Sequence, residues 1–216
     1  MRPPRQPTIT FVVPTSGRKT LGRTLHSITS QFAAGDEIIL VYTDYGDGGN
    51  TGRNSAQNRA EGDWIAFMDD DDIFVGGAIE KMRAWAAANP DKIAIFRRKS
   101  DAWPTQWSKP ALVPGNVAPP LFFVPNVRGS LAEWGPLAHK SARRAAELQE
   151  LGVDPFAWSD SYFIRDTAAR QGAEIVFVDL VTSYAQPQPW WRRARSRLRI
   201  GGRLAALARR ISRAGA

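Results

Sequence analysis

The sequence predicts an α/β fold: a single domain around a mainly parallel central sheet flanked by helices, followed by a basic helical tail. Three observations carry this. Apolar runs of strand length alternate with stretches of helical period from residue 8 to about 186. One such run, Trp64-Ile65-Ala66-Phe67-Met68, passes without a break into four carboxylates, Asp69-Asp70-Asp71-Asp72. Beyond Gln186-Pro187-Gln188-Pro189, nine arginines follow with no acid among them.

The elements read in order as follows. Residues 1–7, with Pro3, Pro4 and Pro7, form a flexible arm without the apolar core of a signal peptide. Residues 8–13 are a first strand closing on Pro14-Thr15-Ser16-Gly17-Arg18. Leu21, Leu25, Ile28 and Phe32 recur at helical spacing, and Gly35 marks the stop. Residues 37–42 form a second strand ending on Thr43 and Asp44. A glycine-rich loop over 46–52 leads to a short helix at 55–60. After the Asp-tipped strand, Ile79, Met82 and Trp85 share one stripe of a helix ending near Asn89-Pro90, and residues 93–96 make a fourth strand.

From 100 to 120 the pattern lapses into a Pro- and Trp-rich loop, a length that in compact domains accompanies function or mobility. A strand at 121–124, helices at 141–151 and from Asp160 to Gly172, and a last strand at 174–178 complete the body. The organisation is therefore 8–186 as one domain, split into halves at 8–99 and 100–186, with 187–216 as an amphipathic basic tail.

Four adjacent carboxylates repel one another unless a cation or a helix amino terminus offsets their charge. Their place at the carboxyl end of a strand is where open α/β sheets bind ligands, so the cluster reads as a metal and phosphate site. Asp72 alone also fits a helix cap. A calcium loop is excluded, because its fifth and sixth positions would be Ile73 and Phe74.

The absence of cysteine removes disulfide and thiol chemistry, and with only two histidines the chain offers a metal mainly hard oxygen ligands. The net charge is +8, yet the body is close to neutral and the tail supplies the excess. That argues against a nucleic-acid enzyme with a basic groove. The tail sets Trp190, Trp191, Leu198, Leu204, Leu207 and Ile211 among its arginines, a pattern suited to an anionic membrane surface, to packing on the body, or to a disordered end. A cytoplasmic protein, peripheral on the inner face of the membrane if the tail binds lipid, is the matching expectation.

Taken in order, several stretches resemble the inverting glycosyltransferases of family two, which have the GT-A (Rossmann-like) fold. They are Val12-Val13-Pro14-Thr15-Ser16-Gly17-Arg18, Leu40-Val41-Tyr42-Thr43-Asp44, Arg53-Asn54, Gly62-Asp63-Trp64, the Asp-x-Asp Asp69-Asp70-Asp71, and Ser159-Asp160 at a helix start. The resemblance implies a nucleotide-sugar donor, UDP-linked, and a glycan, lipid-linked or protein acceptor. It implies donor contacts from Pro14, Thr15, Arg18, Thr43, Asp44, Arg53, Asn54, Asp69 and Asp70. It places a divalent cation, Mn²⁺ or Mg²⁺, on Asp69 and Asp71, and makes Asp160 the general base. Thr43 stands where the family has an acid, Ser159 likewise, and Gly76-Gly77 replaces a proline.

Asp160 as a plain helix cap is the competing reading. Trp103, Trp107, Trp134 and Trp158 are candidate sugar-stacking platforms or core. At the level of the whole chain, a sugar-phosphate nucleotidyltransferase and a non-catalytic sugar-nucleotide or glycan-binding module stand as rivals.

Overall fold

Two runs rich in β-branched and aromatic residues, buried on both sides, pair within the sheet: every residue of β1 (Ile9–Thr15) is buried, as is every residue of β3 (Trp64–Phe67). The structure, a computed structural model, describes residues 5–43, 48–101, 105–112, 116–135 and 160–186. The chain divides after Gln186 into two units, and the described residues all lie in the first. The expected helix at 141–151 and the basic tail at 187–216 fall outside the described residues.

The remaining elements are β2 (Glu37–Tyr42), β4 (Asp72–Phe74), β5 (Lys92–Ser100), β6 (Phe122–Pro125, after a 3-10 turn at Pro119–Leu121) and β7 (Glu174–Ala185). The described helices are α1 (Leu21–Thr29), α2 (Asn50–Gln57), α3 (Ala78–Ala88) and α4 (Asp160–Gln171). The seven strands form one sheet in the order β2-β1-β3-β6-β5-β7-β4.

The expected parallel core is present in β2-β1-β3 and again in β5-β7. The sheet as a whole is mixed, because β6 runs antiparallel to both β3 and β5, and β4 antiparallel to β7. The cause is topological: no described helix crosses over between β5 and β6, and a strand that returns by a loop pairs antiparallel.

Period-2 alternation sends side chains to two faces. Ile9, Phe11 and Val13 meet Ile28 of α1 and Ile79 and Met82 of α3 on one face. Val12, Ile65 and Phe67 meet Ala56 of α2 and Phe163, Ile164 and Ala168 of α4 on the other. Gly62 is obligatory just before β3, since a Cβ there would lie 2.6 Å from the Thr10 backbone nitrogen. No helix among the described residues is long and apolar enough to cross a membrane.

Candidate active site

The aspartate turn is not the start of a helix, as the sequence suggested, but a tight link between two strands. Met68 extends the β1 ladder by donating to Val12 O at 3.0 Å, and Asp72 N donates to Asp69 O at 3.0 Å. Asp72 is therefore no helix cap. It opens β4 and is buried, and α3 is instead entered through Gly77 in the left-handed conformation. Thr24 Oγ1 donates to Asp72 O at 2.7 Å, Ser27 Oγ accepts from Phe74 N at 3.1 Å, and Gln186 N donates to Asp71 O at 3.0 Å. Elements distant in sequence thus fix the backbone that carries the carboxylates.

Among the described residues, three arginines offset the charge, each from a different element. Arg53 of α2 pairs with Asp69. Arg18, on the loop between β1 and α1, lies 2.5 Å from Asp71 Oδ2 and 3.2 Å from Asp70 Oδ1. Arg98 of β5 reaches across β7 to Asp72 at 2.7 Å. Register shifts in the β5–β7 pairing flank Arg97 and Arg98, and such irregularities re-aim side chains. Arg97 covers the Trp107 ring while Arg98 serves the aspartates.

Asp69, Asp71 and Asp72 each offer an oxygen within 4.8 Å of the others. Hard carboxylate oxygens so grouped fit Mn²⁺ or Mg²⁺. Burial is the main reason the Asp71 carboxyl titrates above its usual range, with the Asp69 charge adding to it and Arg18 opposing. Burial likewise pushes Asp72 up to about 7 against the pull of Arg98. Charge of this kind, raised in free energy by its surroundings, is what a cation relieves.

The donor positions predicted from sequence separate into groups. Arg18, Arg53, Asp69 and Asp70 come together at the turn. Pro14 and Thr15 are buried beneath it: Thr15 Oγ1 donates to Asp70 Oδ2 at 2.6 Å and accepts from Gly17 N at 2.9 Å. Thr15 therefore orients Asp70 and does not line an open base pocket. Thr43 N donates to Thr15 O at 2.9 Å, tying the ends of β1 and β2.

Asn54 holds backbone, its amide donating to Trp134 O at 3.0 Å and accepting from Trp134 N at 2.7 Å. With Asn50 bonded to Gly135 O and Gln57 to Ala132 O, it pins residues 132–135 along α2. This departs from its expected role as a donor contact. Asp44, Trp103 and Trp158 lie outside the described residues.

Trp134 and Trp107 are core. Trp134 is 3% exposed and stacks on Phe163 with ring centroids 4.0 Å apart. Trp107 is 8% exposed, and its indole donates to Ile95 O at 3.0 Å. Neither presents a face to a sugar ring, which corrects the platform reading for both. Their burial has a purpose, however. Phe67, two residues before Asp69, packs edge-on against Phe163 at 5.3 Å, and Arg53 lies over Trp134 at 5.1 Å. This block anchors the first turn of α4, through Phe163, against Phe67 at the end of β3.

Arg98, Gln186 and Tyr42 were not among the expected site residues. Tyr42 is 72% exposed at the carboxyl end of β2, beside the Gly17 loop. Its place at a strand terminus was the available signal. Arg98 and Gln186 had none, being brought in by β5 and β7.

An aspartate turn at the carboxyl end of a parallel core, with mixed outer strands, is the GT-A arrangement. Residues 41–132 match the family model described as Glycosyl transferase family 2, the family that the sequence motifs resemble. Solved structures share the fold: S. aureus TarS at TM-score 0.58 and 15% identity over 84% of this chain, and residues 1–349 of S. aureus TarS in complex with UDP-GlcNAc at TM-score 0.54 and 14% identity over 84%. The chain spans only 37% and 59% of those two chains. Among curated proteins, none matches this chain by sequence.

Proposed function

We propose that the protein is a metal-dependent inverting glycosyltransferase that moves a sugar from a UDP-sugar to an acceptor hydroxyl of a glycan, lipid-linked or protein substrate. The observation that carries the reading is the oxygen trio of Asp69, Asp71 and Asp72, at the carboxyl end of β3 and within the family-matched segment. The UDP-GlcNAc bound by the TarS neighbour supports the choice of donor.

In this reading Asp69 and Asp71 hold the cation, with Asp72 as a third carboxylate behind them. The cation would stabilise charge gathering on the diphosphate leaving group. Arg18 and Arg53 add positive charge at the same place, and Tyr42 offers an exposed ring where the nucleoside would enter. Asp160 takes the proton of the acceptor hydroxyl as its oxygen bonds to the anomeric carbon. The bond from that carbon to the donor phosphate breaks with its electron pair leaving on the diphosphate. A nucleotidyltransferase is less favoured, since the loop after β1 is held by Thr15 and Arg18 against the aspartates and lacks a glycine-rich phosphate cradle.

Calorimetric titration of UDP tests the reading. Asp71→Asn keeps the shape and removes a charged ligand, so UDP affinity should fall by about tenfold or more, a loss of about 1.4 kcal/mol, and EDTA should do the same to the unmodified protein. Equal affinity under all three conditions would remove the cation from the site. A folded protein that binds UDP but turns over no donor with any acceptor would favour the binding module.

A further inference from the structure

The three arginines at the aspartate turn are not equivalent. Arg53 is 3% exposed, sits on a helix, and also donates to Gly48 O at 3.0 Å and to Asn50 Oδ1 at 2.9 Å. Arg98 sits on a central strand and also donates to Gln106 Oε1 at 2.7 Å. Both are built into regular structure. Arg18 rises from a loop just after Gly17, which holds a φ of +78° that L side chains rarely adopt, and its side chain is 31% exposed. It is the arginine that can change partner without disturbing a helix or the sheet.

Its ion-pair partner, like those of the other two arginines, belongs to the oxygen trio. Arg18 Nη1 lies 2.5 Å from Asp71 Oδ2, within the oxygen trio that suits a cation. A guanidinium and a divalent cation on one carboxylate repel each other strongly at such range. The 3.2 Å approach to Asp70 Oδ1 is not aligned as a hydrogen bond, and that buried oxygen has no hydrogen-bond partner. A guanidinium displaced from Asp71 therefore keeps the attraction of Asp70 and stays at the turn. Its planar fork matches a phosphate well.

Resting on the glycosyltransferase reading of the site, we propose that Arg18 competes with the divalent cation for Asp71, and that the displaced guanidinium ends on the diphosphate of the donor. Cation and nucleotide then bind cooperatively. The cation frees Arg18 for the phosphates, and the phosphates hold Arg18 away from Asp71, a coupling that is reciprocal by necessity.

The competition gives Arg18→Ala two effects of opposite sign. Mn²⁺ titrated into the nucleotide-free protein, with the free ion read by electron paramagnetic resonance, should bind about two- to fivefold tighter in Arg18→Ala, the range expected for releasing a part-exposed ion pair. UDP titrated at saturating Mn²⁺ should bind about tenfold weaker, as for loss of a charged hydrogen bond. Arg18→Lys keeps the charge without the fork and should move both affinities the same way by less. It carries the test if the alanine variant melts early.

Mn²⁺ affinity unchanged or weakened in both variants overturns the competition. Asp71→Asn separates the two levels of inference. If it abolishes Mn²⁺ binding while the Arg18 variants leave that binding unchanged, only the competition fails. If it leaves Mn²⁺ binding intact, the cation does not use Asp71 and the assignment of the site fails with it.

Discussion

In the half from Ile9 to Ser100, carboxylates and arginines gather at the ends of strands; in the half from Pro119 to Ala185, the same end of the sheet is backed by aromatic rings. Asp69, Asp70, Asp71 and Asp72 sit on one turn, matched by Arg18, Arg53 and Arg98. Opposite them, Phe122, Trp134 and Phe163 stack against one another, and Phe67 meets Trp134 and Phe163 edge-on. The first region gathers charge that the backbone positions. The second fixes, by packing, where α4 begins. Substitutions should therefore separate into those that change chemistry with the fold intact and those that change the fold first.

On the proposed mechanism Asp160 belongs to chemistry although it sits on the packed side, and its replacement should show the largest effect. Asn caps a helix about as well as Asp, so Asp160→Asn should keep its melting temperature and UDP affinity. Loss of a general base costs about 10²–10⁴-fold in rate. A folded Asp160→Asn protein transferring sugar at a near-normal rate would make Asp160 a cap, and the second region purely structural.

Trp134 tests the division from the other side. As core it stacks on Phe163 and Phe122, which also meet each other, and lies under Arg53. Trp134→Ala should cost about 3–5 kcal/mol of stability in a urea melt, with UDP affinity falling secondarily as Arg53 loses its support. A sugar platform would behave in reverse, with the melt unchanged and only the acceptor KM raised.

The two regions were also unequally legible in the sequence. The Asp turn could be read because it is local: an apolar run followed at once by carboxylates admits few other structures. The helix stripe through Ile79 and Met82, and the strands at Ile9 and Glu37, were legible for the same reason. What Asp72 does was not, because cap and buried ion pair differ only in a partner, Arg98, delivered 26 residues later across β7. The direction of β6 was hidden because a strand reads alike whether it runs parallel or antiparallel. Trp107 and Trp134 misled because a large ring beside prolines has the same composition signature whether it meets sugar or Phe163. The pinning role of Asn54 depends on the backbone of residue 134, which only the fold brings near.

The smallest expected effect is a pH dependence that isolates the charged region. The Asp72 carboxyl is raised to about 7, mainly by burial, and in the unfolded chain it titrates near 3.8. Between those values the folded chain binds the proton more tightly than the unfolded one. The contribution to stability is therefore greatest below the lower value and is lost as pH rises through the higher. Asp71 shifts in the same direction. In EDTA the melting temperature should fall between pH 5 and pH 8, by about 2–4 °C for each kcal/mol lost in a domain of this size. Mn²⁺ should reverse the trend, since it binds the deprotonated carboxylates and tightens over the same range. Asp72→Asn replaces the titrating group with a neutral one of equal shape and should flatten the decline in EDTA. A decline that persists unchanged in that variant would assign the proton to another group, and leave the three arginines sufficient to keep the aspartates ionised.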